Sequence, residues 1–128
     1  MREWTEQTLQ RLAVKFERSA EAAARDGVIP YKSEGGRWIG SPHDGNSWWT
    51  GGFWPGLMWQ LYAATGNAAF LNEARRVEAL LVRELDRFTD LNHDVGFMYL
   101  LSCAADARLT GDERAAENAL HAATLLAG

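Results

Sequence analysis

The sequence predicts an all-α fold built from stacked helical hairpins. Three observations carry this: apolar residues recur at helical spacing, helical stretches apolar nearly all round alternate with one-sided ones, and the alternation repeats at a fixed interval. Gly52-Phe53 returns as Gly96-Phe97 after 44 positions, and Thr65-Gly66-Asn67 returns as Thr110-Gly111-Asp112 after 45, so one inserted residue separates two copies of one unit. Hairpins of about this length stack side by side, and a buried helix alternating with a half-buried one places the buried helices in an inner ring. The expected architecture is therefore an α/α toroid, with about five helices in residues 1–128. Two hairpins and a leading helix do not close such a ring. The chain is expected to be the N-terminal portion of a single domain, self-associating through exposed inner-helix surface.

The elements follow in order. Leu9, Leu12, Ala13, Phe16, Ala20 and Ala23 define a first helix from Thr5, its N-cap, to Ala24, with Trp4 and Leu9 as a hydrophobic staple. From Asp26 to Thr50 glycines and turn pairs break the pattern, predicting a long ordered loop or a short strand pair. Gly52 to Ala64 is apolar nearly all round, a helix buried on more than one side, with Pro55 suited to its first turn. Thr65-Gly66-Asn67 ends it and caps a third helix. There Phe70, Ala74, Val77, Leu81, Leu85 and Phe88 form one stripe opposite Glu73, Arg75, Arg76, Glu78 and Arg83, predicting a solvent-facing outer helix. Val95 to Leu109 reads as a second buried helix, and Glu113 to about Leu126 as a second outer one.

Composition narrows the function. The chain has 128 residues, 13 basic against 17 acidic, and a formal net charge of -4 with the signs interleaved, so no basic face exists for nucleic acid. No apolar run approaches the roughly 18 residues that span a bilayer. A single cysteine, Cys103, and an opening that alternates polar and apolar residues point to a reducing, cytoplasmic home. The six tryptophans stand out, four of them (Trp48, Trp49, Trp54, Trp59) within twelve positions. An indole serves equally as core filler and as a flat wall for the C–H face of a sugar, and position alone leaves both readings open.

Catalytic groups in a toroid sit where loops enter the inner helices, and two such loops are polar and aromatic: Ser41 to Gly56 and Leu91 to Tyr99. Asp94 is the leading candidate. It suits the N-cap of the helix that follows, and it equally suits a carboxylate at the mouth of a buried helix, where its charge is tunable by a neighbour. His93 alone reads as a hydrogen-bonded structural histidine. His43, Asp44, His93 and Asp94 match no metal-ligand spacing, so no metal is expected. Cys103 lies mid-helix among apolar residues as core filler, and Gly51, Gly52 and Gly56 suit close helix packing because no strand precedes them to make a phosphate loop.

The segments Trp49-Thr50-x-Gly52-Phe53-Trp54-x-Gly56-x-x-Trp59 and His93-Asp94-Val95-Gly96-Phe97-Met98-Tyr99, with the two Thr-Gly-Asx junctions, resemble the unsaturated glucuronyl hydrolases of glycoside hydrolase family 88. The resemblance runs over nearly the whole chain. It implies a six-hairpin (α/α)6 barrel and, as substrates, lyase-derived oligosaccharides with a 4,5-unsaturated uronic acid at the non-reducing end. It also implies a reaction by hydration that needs no metal or organic cofactor: an acid protonates C4, water adds at C5, and the hemiketal opens and expels the remaining sugar. On this likeness Asp94 matches the aspartate that supports the acid/base, His93 the histidine beside it and Trp49 the tryptophan lining the sugar site. Trp54, in the same motif, joins them as a candidate substrate-binding residue. The acid/base aspartate belongs to a later inner helix, so residues 1–128 alone are expected to be inactive. The sequence departs from the family pattern at Asn92 and Gly51, where relatives often carry histidine and aspartate. A rhamnogalacturonyl hydrolase-like toroid enzyme and a non-catalytic carbohydrate-binding helical module are the alternatives.

Overall fold

Helix α1 spans Arg2–Asp26 and starts one turn earlier than a Thr5 cap predicts. The Thr5 hydroxyl donates instead to the Met1 carbonyl at 3.0 Å, a bond back along the helix that lets the helix run through it, and Trp4 is left exposed without stapling Leu9. Gly27, in the left-handed conformation (φ 69°), ends α1. The computed structural model describes residues 1–43, 45–88 and 90–128; Asp44, one of the acidic residues weighed above, lies outside them. The predicted strand pair forms as β1 (Lys32–Glu34) antiparallel to β2 (Arg37–Ile39), joined through the Gly35-Gly36 turn.

A 3₁₀ turn (Trp49–Gly52) leads into α2 (Phe53–Thr65), which buries Trp54, Pro55, Met58, Trp59 and Leu61. Helix α3 (Ala68–Arg87) lies along α2 and completes the first hairpin. The second hairpin pairs α6 (Glu113–Ala127) with an inner helix that is broken in two, α4 (Val95–Tyr99) and α5 (Cys103–Thr110). Counting the broken helix once gives the expected five. Among the described residues no helix is long and apolar enough to cross a membrane.

The repeated Thr-Gly-Asx has one chemistry in both hairpins. Thr65 and Thr110 donate their hydroxyls to the carbonyls of Leu61 and Asp106, and accept from the backbone N–H of Asn67 and Asp112 at 3.2 Å each. Gly66 and Gly111 supply the left-handed turn at φ 69° and 77°. The Asn67 and Asp112 side chains then accept from Ala69 and Ala115 N–H and so cap α3 and α6. Three residues satisfy the backbone of one helix end and the next helix start, which is why the triplet recurs.

The break between α4 and α5 sits where the two inner helices touch. A Cβ on Gly52 would overlap the Phe97 carbonyl oxygen and stand 2.7 Å from Met98 Cα, and one on Gly56 would stand 3.1 Å from Leu101 Cβ. These glycines let α4 cross the start of α2 at backbone contact. Past the crossing, the buried Ser102 hydroxyl donates to the Met98 carbonyl at 2.6 Å and satisfies it where the helix is interrupted.

Two further expectations are corrected. Helix α3 keeps a solvent face at Asn72, Arg75, Arg83 and Asp86, but Glu73 and Glu78, expected on that face, are buried, as is Glu84. Each faces a neighbouring element; Glu73 accepts from Trp54 Nε1 and Arg76, and Glu84 from the Asn46 N–H. Phe88, counted in the stripe, is the left-handed residue past the end of α3 (φ 52°) and is exposed. The second inner helix is buried on one side only, with Phe97 and Leu100 open to solvent.

Candidate functional site

The two loops that the sequence singles out meet. His43, Ser47, Trp48 and Trp49 from the first and Asp90, Leu91, Asn92 and Asp94 from the second line a cavity of about 490 Å³. The first loop is held down from below: Glu84 reaches up from α3 to accept from the Asn46 N–H at 3.0 Å, and the Gly51 N–H donates to the Trp48 carbonyl.

Asp94 stands at the N-cap position of α4, yet its carboxylate makes no capping bond. Its backbone does the structural work, the carbonyl accepting from Phe97 N–H at 2.9 Å and the N–H donating to the Asn92 side-chain oxygen at 2.8 Å. Asn92 therefore turns the loop through a local side-chain bond and leaves the Asp94 carboxylate, with its side chain 23% exposed, at the cavity wall. Asn67 and Asp112, at the same place on other helices, spend their side chains on capping.

Among the described residues the ionisable partner of Asp94 is His93, with Nε2 at 3.5 Å from Oδ1. The imidazole is 88% exposed and lies outside the cavity lining, so it meets the carboxylate from the solvent side. Trp49 lines the cavity and belongs to an aromatic chain, 6.4 Å from Trp48 and 5.7 Å from both Phe53 and Phe97 between ring centroids. Trp54 is elsewhere. It is buried, its indole N–H donates to Glu73 Oε1 at 2.7 Å, and its ring packs on Phe16 and Trp38. Thus Asp94 and Trp49 share the cavity, His93 flanks it, and Trp54 serves the core, the bland reading of an indole.

Sequence reasoning passed over Trp48, Ser47, Asn92 and Asp90 as cavity residues. The Asn92-x-Asp94 spacing was the available signal, because an Asn two residues ahead bonds the backbone that an aspartate would otherwise cap. Cys103 is fully buried; burial first, then the Glu78 carboxylate, push its thiol up to about 12, which leaves no nucleophilic thiolate near neutrality.

Known proteins resemble this chain over a part of their own length. An unsaturated glucuronyl hydrolase of Bacillus sp. strain GL1 is 43% identical over 82 residues, 63% of this chain and 22% of the relative. An unsaturated chondroitin disaccharide hydrolase of Streptococcus pneumoniae is 37% identical over 82 residues, 63% of this chain and 21% of the relative. The crystal structure of the Bacillus sp. GL1 unsaturated glucuronyl hydrolase, described as responsible for glycosaminoglycan degradation, matches with a TM-score of 0.73 and 34% identity, covering 89% of this chain and 31% of that one. No protein-family model matches the chain. The chain thus spans about a fifth of the length of these curated relatives. The structural neighbours are (α/α)6 toroid enzymes, and the fold expected from the repeat, part of such a toroid, is the fold observed.

Proposed function

We propose that this chain forms one wall of the active site of a glycosidase that removes 4,5-unsaturated uronic acids from lyase-derived oligosaccharides. The observation that carries the reading is Asp94: a carboxylate at a helix start, relieved of capping by Asn92, on the same cavity as the Trp49 indole. The names of the relatives support the substrate class.

In this reading Trp49 offers its ring face to the sugar, and Asp94, ionised, raises the proton affinity of a second carboxyl and positions it. That second group protonates C4 of the substrate, positive charge develops at C5 beside the ring oxygen, and water adds there as the same group takes back a proton. The hemiketal formed opens to a ketone, and the glycosidic oxygen leaves with the remaining sugar. The anomeric bond is not attacked directly, so the separation of two carboxyls does not report retention or inversion here. The second carboxyl is supplied from outside these 128 residues, and the chain alone turns nothing over. His93 holds the Asp94 carboxylate from the solvent side.

Two accompanying proposals concern the chain itself. The exposed Phe97 and Leu100 flank makes it self-associate, which sedimentation at rising concentration measures. The unpaired, buried Cys103 fits a reducing cytoplasmic setting.

The test is turnover by an enzyme containing this region, read as loss of the vinyl-ether absorbance of unsaturated disaccharides from glycosaminoglycan and from pectin. Asp94→Asn is expected to lower turnover by 10² or more with the fold kept, a typical loss for a group that positions an acid/base. Saccharide binding with no turnover by the unmodified enzyme, or turnover unchanged in Asp94→Asn, would overturn the reading.

A further inference from the structure

The cavity carries the wrong charge for an acidic sugar. Asp90 and Asp94 both line it, and the other second-loop residues there, Leu91 and Asn92, are neutral. A uronate entering it meets two carboxylates, and like charges brought together repel. Among the described lining residues no lysine or arginine answers them, and His43 is the one group able to hold a positive charge.

His43 is also fixed in place. Its backbone N–H donates to Ser41 Oγ at 3.2 Å, and its ring packs on the Trp48 indole at 5.0 Å between centroids. Trp48 is held in turn between Trp49 at 6.4 Å and Tyr31 at 6.3 Å. The two ring planes are tilted by 52°, an aromatic contact that favours this placement of the imidazole. We propose that His43, as imidazolium, is the specificity residue that receives the anionic group of the sugar at this cavity. The assignment rests on the uronide reading above and goes beyond it, since Asp94, His93 and Trp49 give no reason to prefer an acid over its neutral analogue.

Among the described residues the charged groups that line the cavity with His43 are Asp90 and Asp94 from the second loop, and Asp44 is its neighbour in sequence. All are acidic, so the imidazolium is the counter-charge for ligand and wall together.

The experiment measures binding of an unsaturated glucuronyl disaccharide and of its carboxyl methyl ester to an enzyme containing this region, with Asp94→Asn as background to suppress turnover, by quenching of tryptophan fluorescence. The wild type is expected to prefer the acid. His43→Gln should weaken the acid on the order of fivefold and leave the ester within a factor of about two, the scale of one partly solvated charge pair. His43→Lys, which keeps a positive charge at the same place, should keep the acid preference. Equal weakening of acid and ester in His43→Gln would mean that His43 only props Trp48 and would overturn the assignment, as would no change in either. Should the wild type bind neither compound, the uronide reading itself fails and this one with it. Binding of both with no preference would sink His43 alone.

Discussion

The two hairpins carry the same junction and different entrances. At Thr65-Gly66-Asn67 and Thr110-Gly111-Asp112 the Thr hydroxyl bonds the carbonyl four residues back, accepts from the Asx N–H, and the Asx side chain caps the next helix, because ending one helix and starting the next poses the same backbone problem twice. At the entrances the repeat relaxes. The first inner helix is entered through a 3₁₀ turn with Gly51 and Gly52 buried, whereas the second is entered through the Asn92 turn that presents Asp94, and it then breaks at Leu100 to Ser102. Junctions stay alike where their work is structural, and entrances diverge where they border the cavity.

The sharpest way to break the comparison is at its repeated glycines. Gly52 and Gly96 occupy the same place in the repeat, but only Gly52 has the backbone of another helix against it; around Gly96 the nearest atom to an added Cβ is Leu126 Cδ2 at 4.0 Å. Gly52→Ala is expected to destabilise by about 3 kcal/mol or more, because a helix crossing has to part to admit the methyl group. Gly96→Ala should be neutral or stabilising by up to about 1 kcal/mol, since it removes glycine's entropy from a helix. Denaturant midpoints of the two variants read this directly, and similar losses in both would show that the crossing is not what distinguishes the hairpins.

A smaller effect is expected on α3, where two buried glutamates differ in their company, Glu73 facing α2 of its own hairpin and Glu78 the second hairpin. Glu73 accepts from Trp54 Nε1 and from Arg76, so its charge is fully answered. Glu78 lies near Cys103 and Asp106, its Oε2 has no hydrogen-bond partner among the described residues, and Arg75 is committed to Asp106 through two bonds of 2.9 and 3.0 Å. Burial, then the Asp106 charge, push the Glu78 carboxyl up to about 7. A folded value above the ordinary 4.5 means the native state binds this proton more tightly than the unfolded chain. The stability it confers is full below the ordinary value and is lost as pH rises through about 7. Glu78→Gln should therefore flatten the fall in thermal stability across this window, by on the order of 1–2 kcal/mol at its upper end, and change little below it. An unaltered pH profile would mean that the Glu78 charge finds a partner on its own.

Much of this was legible in the sequence because it follows from periodicity. The hairpins, the toroidal class, the tight glycines and the meeting of the two loops all come from spacing, which depends on helix geometry alone. What escaped depends on partners far away in sequence. Glu73 and Glu78 read as solvent-facing because nothing local shows that Trp54 and Cys103 will lie against them. Trp54 and Trp49 read alike, five residues apart, because an indole's role is decided by what lies over its face: Phe16 and Trp38 over one, the cavity beside the other. The break in the second inner helix is equally remote in cause, set by two glycines in the first.

The finest version of the comparison sets Asp94 against Asp112, the same residue type at the same helical position. Asp112 accepts from Ala115 N–H at 2.8 Å, so Asp112→Ala leaves the start of α6 unsatisfied and should cost about 1 kcal/mol, the usual worth of a cap. Asp94 makes no such bond, and its backbone contacts through Asn92 and Phe97 survive any change of its side chain. Asp94→Ala should therefore shift stability by less than about 0.5 kcal/mol, as a surface substitution does. Unfolding curves of the two variants at one pH decide between the readings of position 94. A loss at Asp94 equal to that at Asp112 would show that the carboxylate caps α4 in solution and is not available to the cavity. A loss confined to Asp112 leaves position 94 with no structural work for its charge, which is the condition a carboxylate must meet before it can be given to chemistry.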